Sequence, residues 1–247
     1  MGVFVRTIVV VPTYNEAENL PRLAELLLAL EPKVEVLCVD DGSPDGTGDI
    51  ADSIVAAQDR FHVIHRTGKR GYSVSSKEGM EWGLSRGFEI IGTMDADLSH
   101  DPQVLPLLIA AIDDGADLAI GSRYTAGGEI LVDWGPIRRA VSKTGSAYAR
   151  FMVGTPTRDC TSGYRCYRAK ALSQLSLSAI QSEGYSFLIE LLAGLRDHDA
   201  RIVELPITYV DRRHGSSKIS KSIIFEALGR TTAVGLARLA GKRRLGV

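Results

Sequence analysis

The sequence lacks a long apolar run, and this absence argues against a membrane-spanning helix. Its 247 residues are 45% hydrophobic. No window, however, approaches the roughly 20 apolar residues that span a bilayer. The first residues, "MGVFVRTIVVVPTYNE", also lack the basic start, apolar stretch and cleavage site of a signal peptide. We therefore expect a cytoplasmic protein with one large domain over residues 1–218, followed by a basic helix or tail over residues 219–247.

Three further absences narrow the chemistry. The three cysteines, Cys38, Cys160 and Cys166, form no CxxC pair, so neither a disulfide framework nor a zinc site is indicated. The first strand-to-helix turn, "PTYNEAEN", has no GxGxxG, which argues against a dinucleotide-binding dehydrogenase. The five histidines show no paired triad arrangement.

Charge is distributed unevenly along the chain. The net charge is −1, yet residues 212–247 hold nine Lys or Arg and one acid, Glu226, which gives this stretch +8. Residues 1–211 hold 20 bases and 29 acids, or −9. A basic tail on an acidic body indicates contact with an anion such as a phospholipid headgroup or nucleic acid; a solvated tail end has the same composition.

Short valine-rich runs alternate with helix-like stretches from residue 6 to 123. A helix predicted to open at Asn15, with Glu18 three residues later, follows the first run. Such alternation predicts an α/β fold with a mostly parallel central sheet and helices on both faces. The predicted strands are "RTIVVVPT", "VEVLCVDD", "FHVIHR", "FEIIGTMDAD" and "ADLAIGSR".

Carboxylates cluster where these strands are predicted to end. The second strand ends in Asp40 and Asp41, and the fourth in Asp95 and Asp97. Ligands of open parallel sheets bind at this carboxyl edge. Converging carboxylates repel one another unless a cation lies among them, so a divalent metal with bound phosphate is the natural candidate.

Local explanations of the same carboxylates stay open. Residues 95 and 97 of an extended strand lie on one side, so one can hold a metal while the other meets a sugar hydroxyl. The pair can equally cap the helix predicted near Pro102. For Asp40 the alternative is a purely structural role as a turn former in "DDGSPDGT".

Cations in glycine-rich, irregular segments can clamp the phosphates of a nucleotide diphosphate. Arginine binds phosphate oxygens through two parallel hydrogen bonds, and lysine adds a point charge. Each alone also fits an ordinary surface charge, but loops are where phosphate clamps and lids occur. The residues concerned are Arg123, Arg138, Arg139, Arg212, Arg213 and Lys218.

Seven motifs in series resemble the dolichol-phosphate mannose synthases, a branch of the inverting glycosyltransferase family two. They run from about residue 7 to 220: "VVPTYNEAENL", "VDDGSPDGT", "DADLSHDP", "GSRY", "DCTSGYRCY", "GYSFLIE" and "ELPITYVDRRHGSSK". The resemblance implies a GT-A fold, a nucleotide-sugar donor, a divalent metal and a polyprenyl-phosphate acceptor. Mannose from GDP-mannose is the transfer that it favours.

The resemblance also assigns the donor side of the site. Asp95, Ala96 and Asp97 would face the ribose, diphosphate and sugar, and Asp97 and Ser99 would hold Mg²⁺ or Mn²⁺. Arg212 and Lys218 would close over the donor phosphates. The residues around the base and ribose would be Pro12, Tyr14, Glu16 and Asp40.

On the acceptor side, the resemblance implies that Arg123, Arg138 and Ser142 hold the lipid phosphate. We expect Asp97, Arg123 and Arg138 to be catalytic. A phosphomonoester is largely ionised at neutral pH, since its second pKa is about 6, so no strong general base is required. Catalysis would then depend on positioning and electrostatics.

One departure leaves the donor open. After Lys69, many relatives have a Gly-x-Gly-x-Ala stretch, but here the segment is "RGYSVSSKEG", with Ser73 and Ser75 at the second glycine and the alanine. Another donor such as UDP-glucose, or a soluble or polysaccharide acceptor, is the alternative. A non-catalytic nucleotide-sugar sensor is a third reading, which the presence of both Asp95 and Asp97 disfavours.

The tail has two interpretations. A helix there can align Phe225, Leu228, Leu236 and Leu239 in one stripe among basic residues, which suits a membrane surface. A helix packed on the protein's own body explains the composition equally well, since apolar Val234 lies off the stripe. We expect peripheral contact with the cytoplasmic face of a membrane, a membrane protein as a potential partner, and no nucleic-acid ligand.

Overall fold

The computed structural model describes residues 5–132, 136–210 and 221–241, with the side chains of residues 136–139, 141, 185 and 221–226 outside that description. The domain boundary predicted at residue 218 therefore lies outside the described residues. Within them, no helix combines the length and the apolar character needed to cross a membrane.

Seven of the described strands form one mostly parallel sheet in the order β3-β2-β1-β4-β7-β5-β8, in which β7 is antiparallel to both of its neighbours. The strands β6 and β9 pair in parallel as a second, small sheet. The strands are β1 (Thr7–Thr13), β2 (Glu35–Asp40), β3 (Phe61–His65), β4 (Ile90–Thr93), β5 (Leu118–Ser122), β6 (Glu129–Leu131), β7 (Arg165–Arg168), β8 (Ile202–Pro206) and β9 (Thr208–Val210).

Helices connect the strands and cover both faces of the large sheet. Short 3₁₀ turns lie at Pro102–Val104 and Leu177–Ala179. The α-helices are α1 (Leu20–Leu28), α2 (Thr47–Ala57), α3 (Tyr72–Ser85), α4 (Leu105–Asp113), α5 (Pro136–Val153), α6 (Ala169–Leu172), α7 (Gly184–Asp197) and α8 (Lys221–Leu239).

The β1 strand shows why an unbroken apolar run folds as a central strand. Successive side chains of a strand point to opposite faces, so a strand covered on both faces needs apolar residues throughout. Ile8 and Val10 belong to the core that includes α7, while Val9 and Val11 belong to the core that includes α1 and α4. All four are fully buried. The predicted α/β fold with helices on both faces is confirmed.

Two predicted boundaries are wrong. The first helix begins at Leu20 and not at Asn15, whose φ of 60° is left-handed. The fourth strand ends at Thr93, so Asp95 and Asp97 do not lie on one side of an extended strand as expected. Beyond β4 the Asp97 side chain accepts the Ser99 amide, a local bond that competes with the strand. The amides of residues 15–17 instead donate to side chains of residues 43–47, which hold this stretch outside the helix.

Glycine allows α3 to approach the sheet closely. A Cβ added at Gly79 would collide with Val10 Cγ1 and lie 3.1 Å from Val39 Cγ2. Both valines are fully buried strand residues with stiff β-branched side chains, so they cannot easily move aside. By contrast, a Cβ added at Gly145 in α5 would meet no atom within 4 Å.

We expect the Gly79→Ala and Gly145→Ala variants to differ in stability. Both gain up to about 1 kcal/mol of helix propensity, but only the first overpacks the core, at a cost of about 1 to 3 kcal/mol. The free energy of unfolding measured in urea should therefore be lower for Gly79→Ala than for Gly145→Ala, by about 1 to 3 kcal/mol. Equal free energies of unfolding for the two variants would contradict the close packing of α3 on β1.

Candidate active site

The carboxyl edge of the sheet begins with Asp40 at the end of β2. The Asp40 side chain is 3% exposed and accepts hydrogen bonds from the Ser43 amide at 3.1 Å and the Ser43 hydroxyl at 2.5 Å. Thr13, at the end of β1, donates to the same carboxylate at 3.3 Å. Asp40 is thus a turn former, as one interpretation held, and it also holds the ends of two neighbouring strands together.

The loop after β1 is fixed by the loop after β2. The Asn15 amide donates to Ser43 Oγ at 3.0 Å, and the Glu16 amide donates to Thr47 Oγ1 at 2.9 Å. The Ala17 amide donates to Asp45 Oδ2 at 3.1 Å. These bonds place the half-buried Pro12, Tyr14 and Glu16 beside Asp40, as expected for one binding surface. The residues of that surface are Pro12, Tyr14, Glu16 and Asp40.

An unpredicted arginine completes this surface. Arg70 donates from Nη1 to the Tyr14 hydroxyl and from Nη2 to the Gly42 carbonyl, both at 3.0 Å, and its Cζ lies 4.9 Å from the centre of the Tyr14 ring. Gly42 has a φ of 69°, in the left-handed region that favours glycine. Arg70 therefore brings a positive charge to the face of the Tyr14 ring, which the family resemblance predicts to lie near the nucleotide base and ribose.

Asp97 and Ser99 form a tight turn beyond β4. Asp97 Oδ1 accepts the Ser99 amide at 3.1 Å and the Ser99 hydroxyl at 2.5 Å, and Leu98 between them has a φ of 59°. Asp97 is 5% exposed and Ser99 is fully buried. The 3₁₀ turn that begins at Pro102 is capped instead by Asp101, whose side chain accepts the Gln103 amide at 2.9 Å. The capping explanation of the pair is therefore wrong.

The oxygen ligands present suit Mg²⁺ or Mn²⁺ better than zinc. No cluster of three or more His, Cys, Asp or Glu that could hold a metal occurs among the described residues. Mg²⁺ is commonly bound through only one or two carboxylates, with water and substrate phosphates as the remaining ligands. Asp97, with Asp95 near it in sequence, fits that pattern, and the Ser99 hydroxyl adds a neutral oxygen.

Asp95 lies against the segment that precedes β7. A Cβ added at Gly163 would lie 3.1 Å from Asp95 Oδ1 and 2.8 Å from the Tyr72 hydroxyl. The Gly163 carbonyl accepts the Thr93 hydroxyl at 2.7 Å. The glycine of "TSGYR" is therefore the residue that lets this segment pack directly on the aspartate. Ala96, between the two aspartates, is 3% exposed.

Arg123 forms a buried, bidentate ion pair with Asp159. Its Nε and Nη2 donate to the two Asp159 carboxylate oxygens at 2.7 Å each, and its amide donates to Oδ2 at 3.0 Å. The side chains are 9% and 0% exposed. Burial alone would lower the pKa of Arg123, but Asp159 raises it above its ordinary value. Arg123 is thus a permanently charged and rigidly oriented cation.

Two further residues, Glu204 and Arg165, hold the loop that carries Asp159 in place. Glu204 of β8 accepts the Arg158 amide at 2.8 Å and the Asp159 amide at 2.9 Å. Arg165 is fully buried and donates to the carbonyls of Cys160 at 2.8 Å, Ser162 at 2.7 Å and Leu188 of α7 at 2.9 Å. The "DCTSGYR" segment is therefore anchored to β8 and α7.

His100 lies near both Asp97 and the Arg123–Asp159 pair. Its ring stacks on Tyr164 with centroids 5.0 Å apart and meets Tyr209 edge-on at 5.7 Å. Burial lowers the pKa of His100 to about 4, against the opposing influence of Asp97. Its imidazole is therefore neutral at neutral pH. Its Nδ1 has no hydrogen-bond partner in the described part of the chain.

The remaining predicted acceptor and phosphate residues are only partly described. The Ser142 hydroxyl lies 2.6 Å from the Tyr124 hydroxyl, which brings α5 next to the residue that follows Arg123. Arg138 lies in α5, but its side chain is outside the description. Arg212 and Lys218 lie outside the described residues.

Asp159 belongs to one of the seven motifs, but the motif alone predicts no role for it. Arg70, His100, Arg165 and Tyr209 were not predicted as site residues either. Asp159 could not be paired with Arg123 from the sequence, because the two residues lie 36 positions apart. Nothing local indicates the position of Arg70, since its contacts are with residues 28 and 56 positions away.

Comparison with known proteins gives a consistent assignment. The family described as Glycosyl transferase family 2 matches residues 8–176. A polyprenol monophosphomannose synthase of Mycolicibacterium smegmatis is 46% identical over 94% of this chain and 87% of its own length. An undecaprenyl-phosphate mannosyltransferase of Micrococcus luteus is 46% identical over 98% of this chain and 100% of its own. A dolichol-phosphate mannosyltransferase of Pyrococcus furiosus is 35% identical over 89% and 61%.

Solved structures establish the fold as GT-A. Glucosyl-3-phosphoglycerate synthase from Mycobacterium tuberculosis, in complex with phosphoglyceric acid, superposes with a TM-score of 0.67 at 18% identity over 93% of this chain and 79% of its own. The same enzyme with Mn²⁺, uridine diphosphate and glucosyl-3-phosphoglycerate superposes with a TM-score of 0.64 at 19% identity, over 96% and 80%. At this identity the likeness concerns the fold alone.

The buried pair predicts a large and pH-dependent effect of Asp159→Asn. Removing one partner of a buried pair leaves an uncompensated charge and costs about 3 to 5 kcal/mol. Burial alone would raise the pKa of Asp159, but Arg123 lowers it below its ordinary value. Wild type should therefore carry this stabilisation above about pH 4 and lose it as the pH falls through the lower folded-state pKa.

Denaturant unfolding of both proteins across an acidic pH series measures this effect. The control is Glu25→Gln, which breaks the exposed Arg22–Glu25 pair, whose side chains are 52% and 69% exposed. That change should cost less than about 1 kcal/mol. A similar small cost for Asp159→Asn at neutral pH would show that the buried pair does not hold the site together.

Proposed function

The chain belongs to glycosyl transferase family 2, and on that premise we propose that it transfers mannose from GDP-mannose to a polyprenyl phosphate with inversion at the anomeric carbon. The observation that carries the proposal is the 46% identity, over nearly the whole chain, to two relatives named for mannose transfer to a polyprenyl carrier. The proposal is supported by the buried carboxylates at the sheet edge and by the arginine that Asp159 orients.

The donor would occupy the edge formed by β1, β2 and β4. Tyr14 and Asp40 would contact the base and ribose together with Pro12 and Glu16, and Arg70 would reinforce the Tyr14 side. Asp95, Ala96 and Asp97 would face the ribose, diphosphate and sugar. Support comes from the bonds that join the loops after β1 and β2, because a binding surface held in place before the ligand arrives loses less entropy on binding.

A bound Mg²⁺ or Mn²⁺ would neutralise charge on the donor diphosphate. Asp97 would be its protein ligand, with the Ser99 hydroxyl next to it. The turn between these residues fixes the Asp97 carboxylate through its Oδ1 atom, which accepts both the Ser99 amide and the Ser99 hydroxyl. Arg212 and Lys218 would contribute further positive charge to the departing diphosphate.

The acceptor phosphate would be held by Arg123, Arg138 and Ser142. Asp159 keeps the Arg123 guanidinium in one orientation, and the contact between Ser142 and Tyr124 brings α5 to the same side. A phosphate oxygen, already ionised, attacks the anomeric carbon from the face opposite the diphosphate. The new carbon–oxygen bond forms as the bond to the diphosphate breaks, and its electron pair leaves with the nucleoside diphosphate. His100 is neutral, and the reaction requires no proton from it.

A donor and acceptor screen tests the proposal. Purified protein is incubated with Mg²⁺ or Mn²⁺, a short-chain polyprenyl phosphate in detergent, and GDP-mannose, UDP-glucose or UDP-N-acetylglucosamine, and lipid-linked sugar is followed by mass spectrometry. We expect mannosyl phosphopolyprenol from GDP-mannose alone. Product only from a uridine donor would overturn the sugar and nucleotide. Transfer to a soluble or polysaccharide acceptor in place of the lipid would overturn the acceptor.

Replacing Asp97 by Asn should lower kcat by at least about a hundredfold, because the carboxylate that would hold the metal on the donor diphosphate is lost while the side chain keeps its size. The control is Asp101→Asn, four residues away, where the exposed carboxylate only caps a 3₁₀ turn. Steady-state kinetics with GDP-mannose, and a thermal melt of each variant, separate catalysis from folding. Near-normal kcat for a folded Asp97→Asn protein would remove Asp97 from the mechanism.

A further inference from the structure

Arg70 lies between the two loops that are proposed to hold the nucleotide base. Its Nη1 donates to the Tyr14 hydroxyl in the loop after β1, and its Nη2 donates to the Gly42 carbonyl in the loop after β2, both at 3.0 Å. Within the described part of the chain, the guanidinium uses two of its five N–H groups in these bonds. Arg70 is exposed, so the other three N–H groups are available to a ligand.

The segment that carries Arg70 is held in place by buried charged groups. Asp41 is 7% exposed, accepts the Gly71 amide at 2.6 Å and pairs with Arg66. Arg66 also donates from Nη2 to the Lys69 carbonyl at 3.2 Å. The residues on both sides of Arg70 are therefore fixed before a ligand binds, which lowers the entropy lost on binding.

Ser75 adds to this support at a position where the sequence departs from many relatives. Its hydroxyl donates to the Gly71 carbonyl at 3.2 Å and accepts from Arg66 Nη1 at 3.3 Å. The alanine of the Gly-x-Gly-x-Ala pattern would make neither bond. The departure therefore ties the segment that precedes α3 more firmly to the end of the sheet.

Arg70 lies on the side of β1 that is remote from Asp97. In the sheet order β3-β2-β1-β4, the loop after β2 and the Asp97 turn after β4 lie on opposite sides of β1. Neighbouring strands are about 4.8 Å apart, so the ends of β2 and β4 are separated by about 10 Å. The donor diphosphate is proposed to lie beside Asp97. The position of Arg70 therefore suits a contact with the base and not with the diphosphate.

Guanine offers an arginine two acceptors on one edge. Its O6 and N7 lie side by side, and a guanidinium binds both through parallel N–H groups. A uracil base has only a carbonyl oxygen there, next to a C–H group. The N–H donors of the Watson–Crick edge of guanine are in turn complementary to a carboxylate such as Asp40, on the same surface. An arginine and a carboxylate together thus match guanine better than uracil.

We propose that Arg70 donates to O6 and N7 of the donor's guanine base and so selects a guanosine over a uridine donor. The inference rests on the proposed function, because only a guanosine donor presents both acceptors. Tyr14 and Gly42 hold the guanidinium in position, and the N–H groups that they leave unused meet the base.

Nucleotide binding to the full chain tests this role without any transfer reaction. Isothermal titration with Mn²⁺ present measures Kd for GDP, UDP and 7-deaza-GDP, in which N7 is replaced by C–H. Wild type should bind GDP more tightly than UDP, and should bind 7-deaza-GDP at least about fivefold more weakly than GDP. Arg70→Met should bind GDP about 5- to 150-fold more weakly than wild type does, and should no longer distinguish GDP from 7-deaza-GDP.

The matched control is Arg86→Met. Arg86 is also exposed and lies over an aromatic ring, with its Cζ 3.8 Å from the centre of the Trp82 ring. It follows the far end of α3, which is about 21 Å long. This variant should keep the wild-type Kd for all three nucleotides. A thermal melt of both variants checks that each is folded.

Three results would overturn the inference. Equal binding of GDP and 7-deaza-GDP by wild type would show that N7 is not contacted. Equal weakening of all three nucleotides by Arg70→Met, with the preference for N7 retained, would assign Arg70 to the ribose or the diphosphate. Unchanged GDP binding by Arg70→Met would remove Arg70 from the donor site.

Transfer assays keep this inference separate from the proposed function. GDP binding that depends on N7 and on Arg70, without mannose transfer to a polyprenyl phosphate, overturns the proposed function alone. Mannose transfer from GDP-mannose, by a protein whose GDP binding is insensitive to N7, overturns the inference alone.

Discussion

The buried ion pair between Arg123 and Asp159 is the constraint on which the geometry of the site depends. A guanidinium removed from water must be matched in charge and in hydrogen bonds, and here both carboxylate oxygens of Asp159 serve it. Asp159 is in turn fixed through its amide by Glu204, and Arg165 ties the same loop to α7. Strands β5, β7 and β8 are thereby joined at the carboxyl edge by polar contacts that tolerate little displacement.

A rigid cation is what the proposed reaction requires. The acceptor phosphate is its own nucleophile, so the protein needs no base and instead must hold two negatively charged substrates close together. Electrostatic stabilisation of this kind is effective when the charged groups are oriented before the reaction and do not have to reorganise during it. Asp159 orients Arg123, and the Ser99 turn orients Asp97, so the two sides of the site share one design with opposite charges.

The fold could be predicted from the sequence because the central strands β1, β2, β4 and β5 are buried on both faces, and such strands are written as continuous apolar runs. The end of β4 could not be predicted, because the Ser99 amide and hydroxyl donate to Asp97 and form a turn where the strand was expected to continue. The cluster of carboxylates could also be predicted from the sequence, because the carboxyl ends of parallel strands meet at one edge of the sheet. Asp159 was missed as the partner of Arg123 because that pair joins segments 36 positions apart, which no periodicity records.

The two interpretations of the tail are not alternatives, because a helix has more than one face. Thr231 and Val234 pack inward, while Leu236 and Leu239 remain exposed. A helix that needed only to cover the core would be expected to place its leucines there, since burying a leucine side chain contributes about 1.5 to 3 kcal/mol. Among residues 227–239, whose side chains are described, the core side of α8 carries Thr231 and Val234 and approaches Met152 closely at Gly235. Large apolar groups left in water add no burial energy to the described fold, so packing on the body explains one face of α8, and the membrane interpretation of its exposed leucines stays a prediction.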